Sequence, residues 1–480
     1  MIAKLRPLTF LLPVFFWSTP GPAYSGNNGT IAQVLKCGSP GTAGGLAAGM
    51  ELQRYDLDLT RFPLAVCNDG TPAVMYFRPY SGAANRNRWL IQLQGGGLCS
   101  TPDSCAMRWC AEGTNFGNKK MSSTWAPVPG IPGKGITDRR ADNPWGSWNQ
   151  VFVYYCSSDA WSGQAVNLLV TAADPVTAVP KTFQIQFLGS RIVDAVLDTL
   201  RRQGGQPLLY TMAGANQQLP NLDEAEQVVL AGASAGSSGV INNIDRFANT
   251  LRQFNTNCRG NQGCALDIRA LIDSGFSPSY EGLDFTTSTY CISSGLCTYQ
   301  AFMQNEDQNG GSALWRQQGD ESCLAWHRLN MPGTDWQCSD LTHDVRHHIT
   351  TPLFVRMGQQ DMNVSRDYIQ AGLTVPGQGL INLESFAQLV RDQLTGLANI
   401  QSTAHEGGNI SVIPGAFGPT CTKHETLRSN PDIFDVNIPF GGGPYTMFNV
   451  VLNWISGMAP SILVTNPPAT DVCPTSDPDQ

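Results

Sequence analysis

The sequence predicts an α/β fold: a mostly parallel central sheet with helices on both faces, carrying a Cys- and Trp-rich cap insertion. Three observations lead there. Short apolar runs bounded by turn residues recur along the chain and alternate with segments of helical spacing, the pattern of βαβ units. The chain has 480 residues, 41% of them hydrophobic, enough for a large buried core. One apolar run ends in a small-residue turn, Gly232-Ala233-Ser234-Ala235-Gly236, which opens into a helix-compatible stretch.

The elements follow in order. Residues 1–25 read as an export signal. Lys4 and Arg6 form a basic start, Leu8 to Trp17 is apolar, and Ala23-Tyr24-Ser25 offers small residues for cleavage. The apolar run falls short of the roughly 20 residues that span a bilayer. A buried N-terminal helix is the alternative. Residues 26–463 read as a single domain that starts with a loose, Gly-rich arm over 26–45. Strands are expected at Trp89–Leu93, Gln150–Tyr155, Gln227–Leu230, Ala270–Asp273 and Thr351–Met357. Phe183–Arg202 has apolar residues at helical spacing and is expected to be a helix. Residues 276–345, with Trp315, Trp326, Trp336 and four cysteines, read as an insertion over the sheet. Residues 464–480, rich in Pro, Thr and Asp, read as a loose tail unless Cys473 tethers it.

Charge and cysteines narrow the class. Charged residues are only 14% of the chain and the net charge is −8, becoming −10 if residues 1–25, with Lys4 and Arg6, are removed. Such a chain gains nothing from phosphate backbones, so no nucleic-acid partner is expected. All 14 cysteines follow residue 25, as in the disulfide framework of an extracellular or periplasmic protein. No Cys-x-x-Cys pair occurs, so no structural metal is expected, and no cofactor. A monomer is expected. Asn28, Asn363 and Asn409 begin glycosylation sequons.

The chemistry is expected at the Gly232–Gly236 turn. A G-x-S-x-G turn between a strand and a helix lifts a serine hydroxyl clear of an α/β-hydrolase sheet, which makes Ser234 the candidate nucleophile. Gly95-Gly96-Gly97 follows an early strand, where bare backbone lets N–H groups approach a ligand. Gly96, Gly97 and Ala235 are the candidate oxyanion donors. A plain flexible turn is the alternative reading of the glycines.

In this fold the acid and then the histidine follow the nucleophile in the chain. All six histidines lie after Ser234. His343, His347 and His348 precede the expected acid; they read as a solvated helix face, with a metal site as the alternative. His424 is the candidate base, on a loop that Cys421 could fix, and His405 is the other choice. Asp361, just after the TPLFVRM strand, is the candidate acid, with Asp273 in reserve. The acid would hold the imidazole in the right tautomer.

Together these residues resemble the pectin acetylesterase family, which includes the Notum-like carboxylesterases. The resemblance rests on blocks in order over roughly 50–460: WLIQLQGGGLC, the stretch Tyr155-Cys156-Ser157-Ser158-Asp159-Ala160-Trp161-Ser162-Gly163, GASAG, Asp273-Ser274-Gly275-Phe276, a late strand closing on the acid, and Phe417-Gly-Pro-Thr-Cys421-Thr-Lys-His424. It implies an α/β-hydrolase fold, a triad of Ser234, Asp361 and His424, and extracellular ester cleavage without a metal. The substrate it implies is a short acyl ester, such as acetyl, on a carbohydrate polymer such as pectin. Longer acyl chains or polyesters are the alternative, and an inactive carbohydrate-binding protein a third. Leu98 stands where the family has an aromatic residue, GSSG follows the serine where GG is common, and the insertion has no counterpart among these blocks.

Overall fold

The computed structural model describes residues 29–37, 49–111, 114, 116–203, 205–258, 263–400, 406, 410–428, 432–467 and 471–473. The export segment, Asn28, Asn409 and His405 lie outside these residues. None of the described helices is long and apolar enough to cross a membrane.

A ten-stranded sheet organises the chain. Its order is Ile462–Val464, Gly415–Gly418, Leu353–Arg356, Asp267–Asp273, Gln227–Ala233, Arg88–Leu93, Asn149–Val153, Val74–Arg78, Leu52–Asp56 and Gly130–Ile131. The first seven run parallel. The last three pair antiparallel at one edge. The expected strands are all present, within one to three residues at each end.

Both faces are buried, which is why the central strands read as unbroken apolar runs. Successive side chains point to opposite faces. Val228, Leu230, Ile268 and Ile272 meet Ile192 and Val196 of the helix Gly189–Leu200 and Val240 and Ile244 of the helix Ala235–Phe254. Val229, Ala231, Leu271 and Phe354 meet Phe448, Val451 and Trp454 of the helix Met447–Ile455.

Three expectations need correction. The helix expected over Phe183–Arg202 forms only from Gly189 to Leu200. Residues 180–187 are instead a strand paired with Ala165–Ala173. Phe183, Ile185 and Phe187 are buried at alternating positions, a period of two that the helical spacing further on concealed. Part of the arm is ordered: Ile31–Val34 form a short helix, Ile31 is buried, and Cys37 is bonded to Cys110. The third concerns the histidines before the Leu353–Arg356 strand. Their helix, Leu341–His347, packs against Ala235–Phe254 and the Asp335–Ser339 turn, so they do not form a solvated face. His348 is 0% exposed and His343 is half-buried.

The insertion is helical: Thr289–Ser294, Tyr299–Asn309, Gly311–Trp315, Glu321–Asn330 and Leu341–His347. It is fixed by aromatic packing, with Tyr280 stacked on Tyr368 at 4.9 Å, and by the Trp315 indole N–H donating to Cys99 O at 2.8 Å. All 14 cysteines are paired. Cys67–Cys156 ties the antiparallel edge to the centre, and Cys421–Cys473 ties the histidine loop to the chain's end.

Candidate active site

The parallel strands deliver every candidate residue to one edge. Loops at the carboxyl ends of such strands are where open α/β sheets place ligands. Arg88–Leu93 leads to the three glycines, Gln227–Ala233 to Ser234, Asp267–Asp273 ends on Asp273, Leu353–Arg356 precedes Asp361, and Gly415–Gly418 precedes His424.

Ser234 sits at the junction of strand and helix with φ 53°, ψ −123°, a conformation that costs a non-glycine residue energy. Its surroundings hold it there. The Ser234 N–H donates to Asp273 O at 2.9 Å. A Cβ on Gly232 would lie 2.1 Å from Gly236 O, and one on Gly236 would lie 2.2 Å from Leu93 O. The small residues of the motif are therefore required by contact.

Ser234, His424 and Asp361 meet. His424 Nε2 lies 2.8 Å from Ser234 Oγ, and His424 Nδ1 lies 2.8 Å from Asp361 Oδ2. Asp361 is fully buried and caps the helix Met362–Gln370, accepting from the N–H groups of Asn363 and Val364. That cap fixes the carboxylate and leaves it oriented toward Nδ1. Burial works against a charge on His424, but the Asp361 hydrogen bond and charge, helped by Glu425 and Asp273, outweigh it and raise the imidazole pKa above 6.5.

Asp273 does different work. Its Oδ1 pairs with Arg356 at 2.8 Å, and its Oδ2 accepts from the N–H groups of Thr426 and Leu427 at 2.6 and 3.0 Å. Arg356 donates in turn to His424 O at 3.0 Å. This fully buried pair holds the backbone that carries His424, and Asp273 spends its two oxygens there, away from the imidazole.

The Gly-rich turn is held just as firmly. Gly96 and Gly97 have φ 141° and 66°, values that favour glycine. The Arg108 guanidinium donates to Gly96 O at 2.6 Å and to Ser158 Oγ at 2.9 Å. A trans peptide places N–H opposite C=O, so the Gly97 N–H points away from Arg108. Ala235 opens the helix Ala235–Phe254, and its N–H is among the four that a helix leaves without an internal acceptor.

Several residues here were not legible as functional in the sequence. Arg108, Arg356 and Glu425 gave no motif signal. Lys120 packs over Gly96, with its ammonium pushed down to about 7 by burial and by Arg428, against the opposing pull of Glu425. Asp159 organises the Tyr155–Gly163 stretch, accepting from Ser157 Oγ and the N–H groups of Trp161 and Gly189. Burial raises its pKa to about 6 against those bonds. The Trp161 indole then donates to Gln94 O at 3.0 Å, bracing the strand end beneath the glycines. Beside the turn lies a cavity of about 310 Å³ lined in part by Tyr76, Lys120, Trp125, Phe152, Tyr154 and Arg428.

The family model for pectinacetylesterase matches residues 53–464. Palmitoleoyl-protein carboxylesterase notum2 of Xenopus laevis is 28% identical over 371 residues, 76% of this chain and 61% of that protein. Palmitoleoyl-protein carboxylesterase NOTUM of Homo sapiens is 26% identical over 366 residues, 75% of this chain and 59% of that protein. The chain thus spans about three-fifths of the length of the curated relatives it matches. The solved structure of the Wnt deacylase Notum from Drosophila superposes with a TM-score of 0.56 at 21% identity, covering 86% of this chain and 95% of that one. The shared architecture is the α/β-hydrolase fold.

Proposed function

The chain belongs to the pectinacetylesterase family, and from that premise we propose that it is an exported serine carboxylesterase that removes short acyl groups, such as acetyl, from a carbohydrate polymer such as pectin. The observation that carries the reading is the 2.8 Å contact from Ser234 Oγ to His424 Nε2, with Asp361 at the other nitrogen.

In the proposed mechanism Ser234 Oγ attacks the ester carbonyl while His424 Nε2 takes its proton. Gly96, Gly97 and Ala235 N–H groups receive the negative charge that forms on the carbonyl oxygen. The tetrahedral intermediate collapses, the acyl–O bond breaks, and the imidazolium protonates the departing alcohol. Water, deprotonated by the same imidazole, then attacks the acyl-serine and releases the acid and Ser234. Asp361 keeps the proton on Nδ1 and stabilises the imidazolium. Export is supported by the signal-like residues 1–25 and by the seven disulfides.

The cavity beside the glycines supports an anionic sugar polymer. Its lining carries Lys120 and Arg428, basic groups that suit uronate carboxylates. The relatives favour a second reading, since their names give palmitoleoyl-protein as substrate. Comparing acetyl, octanoyl and palmitoyl esters, and acetylated pectin, separates the two. The proposal expects the highest kcat/KM on acetyl esters, acetate release from pectin, and loss of both in Ser234→Ala. A preference for palmitoyl esters would favour the second reading, and unchanged turnover in Ser234→Ala would remove both.

A further inference from the structure

Five of the six histidines are not used by the proposed mechanism, and three of those converge at one point. His327 comes from the helix Glu321–Asn330, His343 from Leu341–His347, and His348 from the end of that second helix. His327 Nε2 lies 3.0 Å from His343 Nε2, and His348 Nε2 lies 3.2 Å from the same atom. A carboxylate oxygen of Glu406, from a separate segment of the chain, lies 3.5 Å from His348 Nε2. We propose that His327, His343 and His348 bind a divalent transition metal of the zinc class, with Glu406 beside His348 outside the ligand set.

Hydrogen bonding among the imidazoles does not account for this arrangement. The Thr334 hydroxyl donates to Met331 O at 2.6 Å, so it accepts from His327 Nδ1, 2.7 Å away. That places the His327 proton on Nδ1 and leaves its Nε2 with a lone pair. His343 Nε2 carries at most one proton, which cannot point at two neighbours. One contact is then left without a hydrogen between the nitrogens. A cation at the centre takes all three lone pairs at once. Tetrahedral zinc with bonds of about 2.0–2.1 Å sets its ligand atoms roughly 3.3 Å apart, and the observed spacings lie close to that.

The surroundings agree with a cation. Trp326 lies against His327 and His348, with ring centres 4.9 and 5.6 Å away, and shields one side. The Cys323 sulfur is also within 4.8 Å of the imidazole nitrogens, but it is bonded to Cys338 and is no thiolate ligand. Three imidazoles are a donor set that zinc accepts, with water completing the tetrahedron.

The place of the site in the fold gives the metal a structural role. His348 lies before the Leu353–Arg356 strand, whereas Asp361 follows it, so the cluster is at the opposite edge of the sheet from Ser234. The metal would pin the helices Glu321–Asn330 and Leu341–His347 to each other, where Cys323–Cys338 already forms one bond.

The test uses the full chain without a polyhistidine tag. Wild type equilibrated with zinc and then gel-filtered should carry about one zinc per chain, and His343→Gln only background. Cobalt(II) in place of zinc should give the intense visible bands of a four-coordinate site in wild type alone. Chelation should lower the wild-type melting temperature by several degrees and leave ester turnover at low temperature within about twofold. Should His343→Gln fail to fold, His327→Gln must weaken zinc binding about tenfold or more. Zinc content equal in wild type and the folded variants, or at background in wild type, would overturn the proposal.

Discussion

His424 and His343 are the same side chain in opposite electrostatic settings. At His424 burial is opposed by carboxylates: Asp361 at the ring, then Glu425 and Asp273, and together they raise its pKa. At His343 burial is the largest influence, and His347, His327 and Arg346 add to it and push it down to about 3. The first imidazole is built to receive a proton and hold it briefly. The second is built to keep a lone pair. The comparison teaches that the partners, more than depth of burial, decide what a buried histidine can do.

That contrast can be broken by mutation. His424→Ala or Ser234→Ala should lower kcat on p-nitrophenyl acetate on the order of 10⁵–10⁶-fold, because members of such a unit fail together. His343→Gln should leave kcat within about twofold at low temperature. A loss at His343 as large as that at His424 would erase the distinction. Asp361→Asn should cost about 10⁴-fold, by favouring the wrong tautomer of His424. Asp273→Asn should act differently: its first effect should be a lowered melting temperature, since it weakens the tie to Arg356 and the histidine loop.

Smaller effects sharpen the comparison. Arg108→Met frees Gly96 O and should lower kcat about tenfold to a hundredfold with little change in KM, as expected for misplaced oxyanion donors. The pH profile should have an acid limb set by His424. The base must be neutral to act, so kcat/KM should rise as pH passes its pKa, and the raised value puts that limb above 6.5. Glu425→Gln removes one of the charges that favour the imidazolium, so the limb should move to lower pH, by less than about one unit. A shift to higher pH would contradict the assignment of His424 as the titrating group.

The site was legible in the sequence where chemistry and backbone geometry coincide in one short segment. GASAG and the Gly95–Gly97 turn declared themselves because close contacts and positive φ exclude larger residues there. Arg356 and Asp273 did not, because their pairing joins residues 83 positions apart and leaves no local pattern. The strand Gly415–Gly418 was missed for another reason. Its sequence, GAFG, has no β-branched side chain, and a Cβ at Gly415 would lie 2.6 Å from the Phe354 ring, so packing selects residues that strand propensity disfavours. The antiparallel strand Leu52–Asp56 is only partly buried, and its mixed polarity hid it. The histidine cluster was misread because its first member, His327, lies 16 residues before His343, outside any helical repeat.

The central claim is that the Ser234 hydroxyl becomes a nucleophile through His424. A fluorophosphonate, followed by peptide mass spectrometry, reads this directly. The account predicts one adduct per chain, on the peptide that contains Ser234, with labelling slowed by orders of magnitude in His424→Ala. An adduct on a different residue, or equal labelling rates in wild type and His424→Ala, would contradict it.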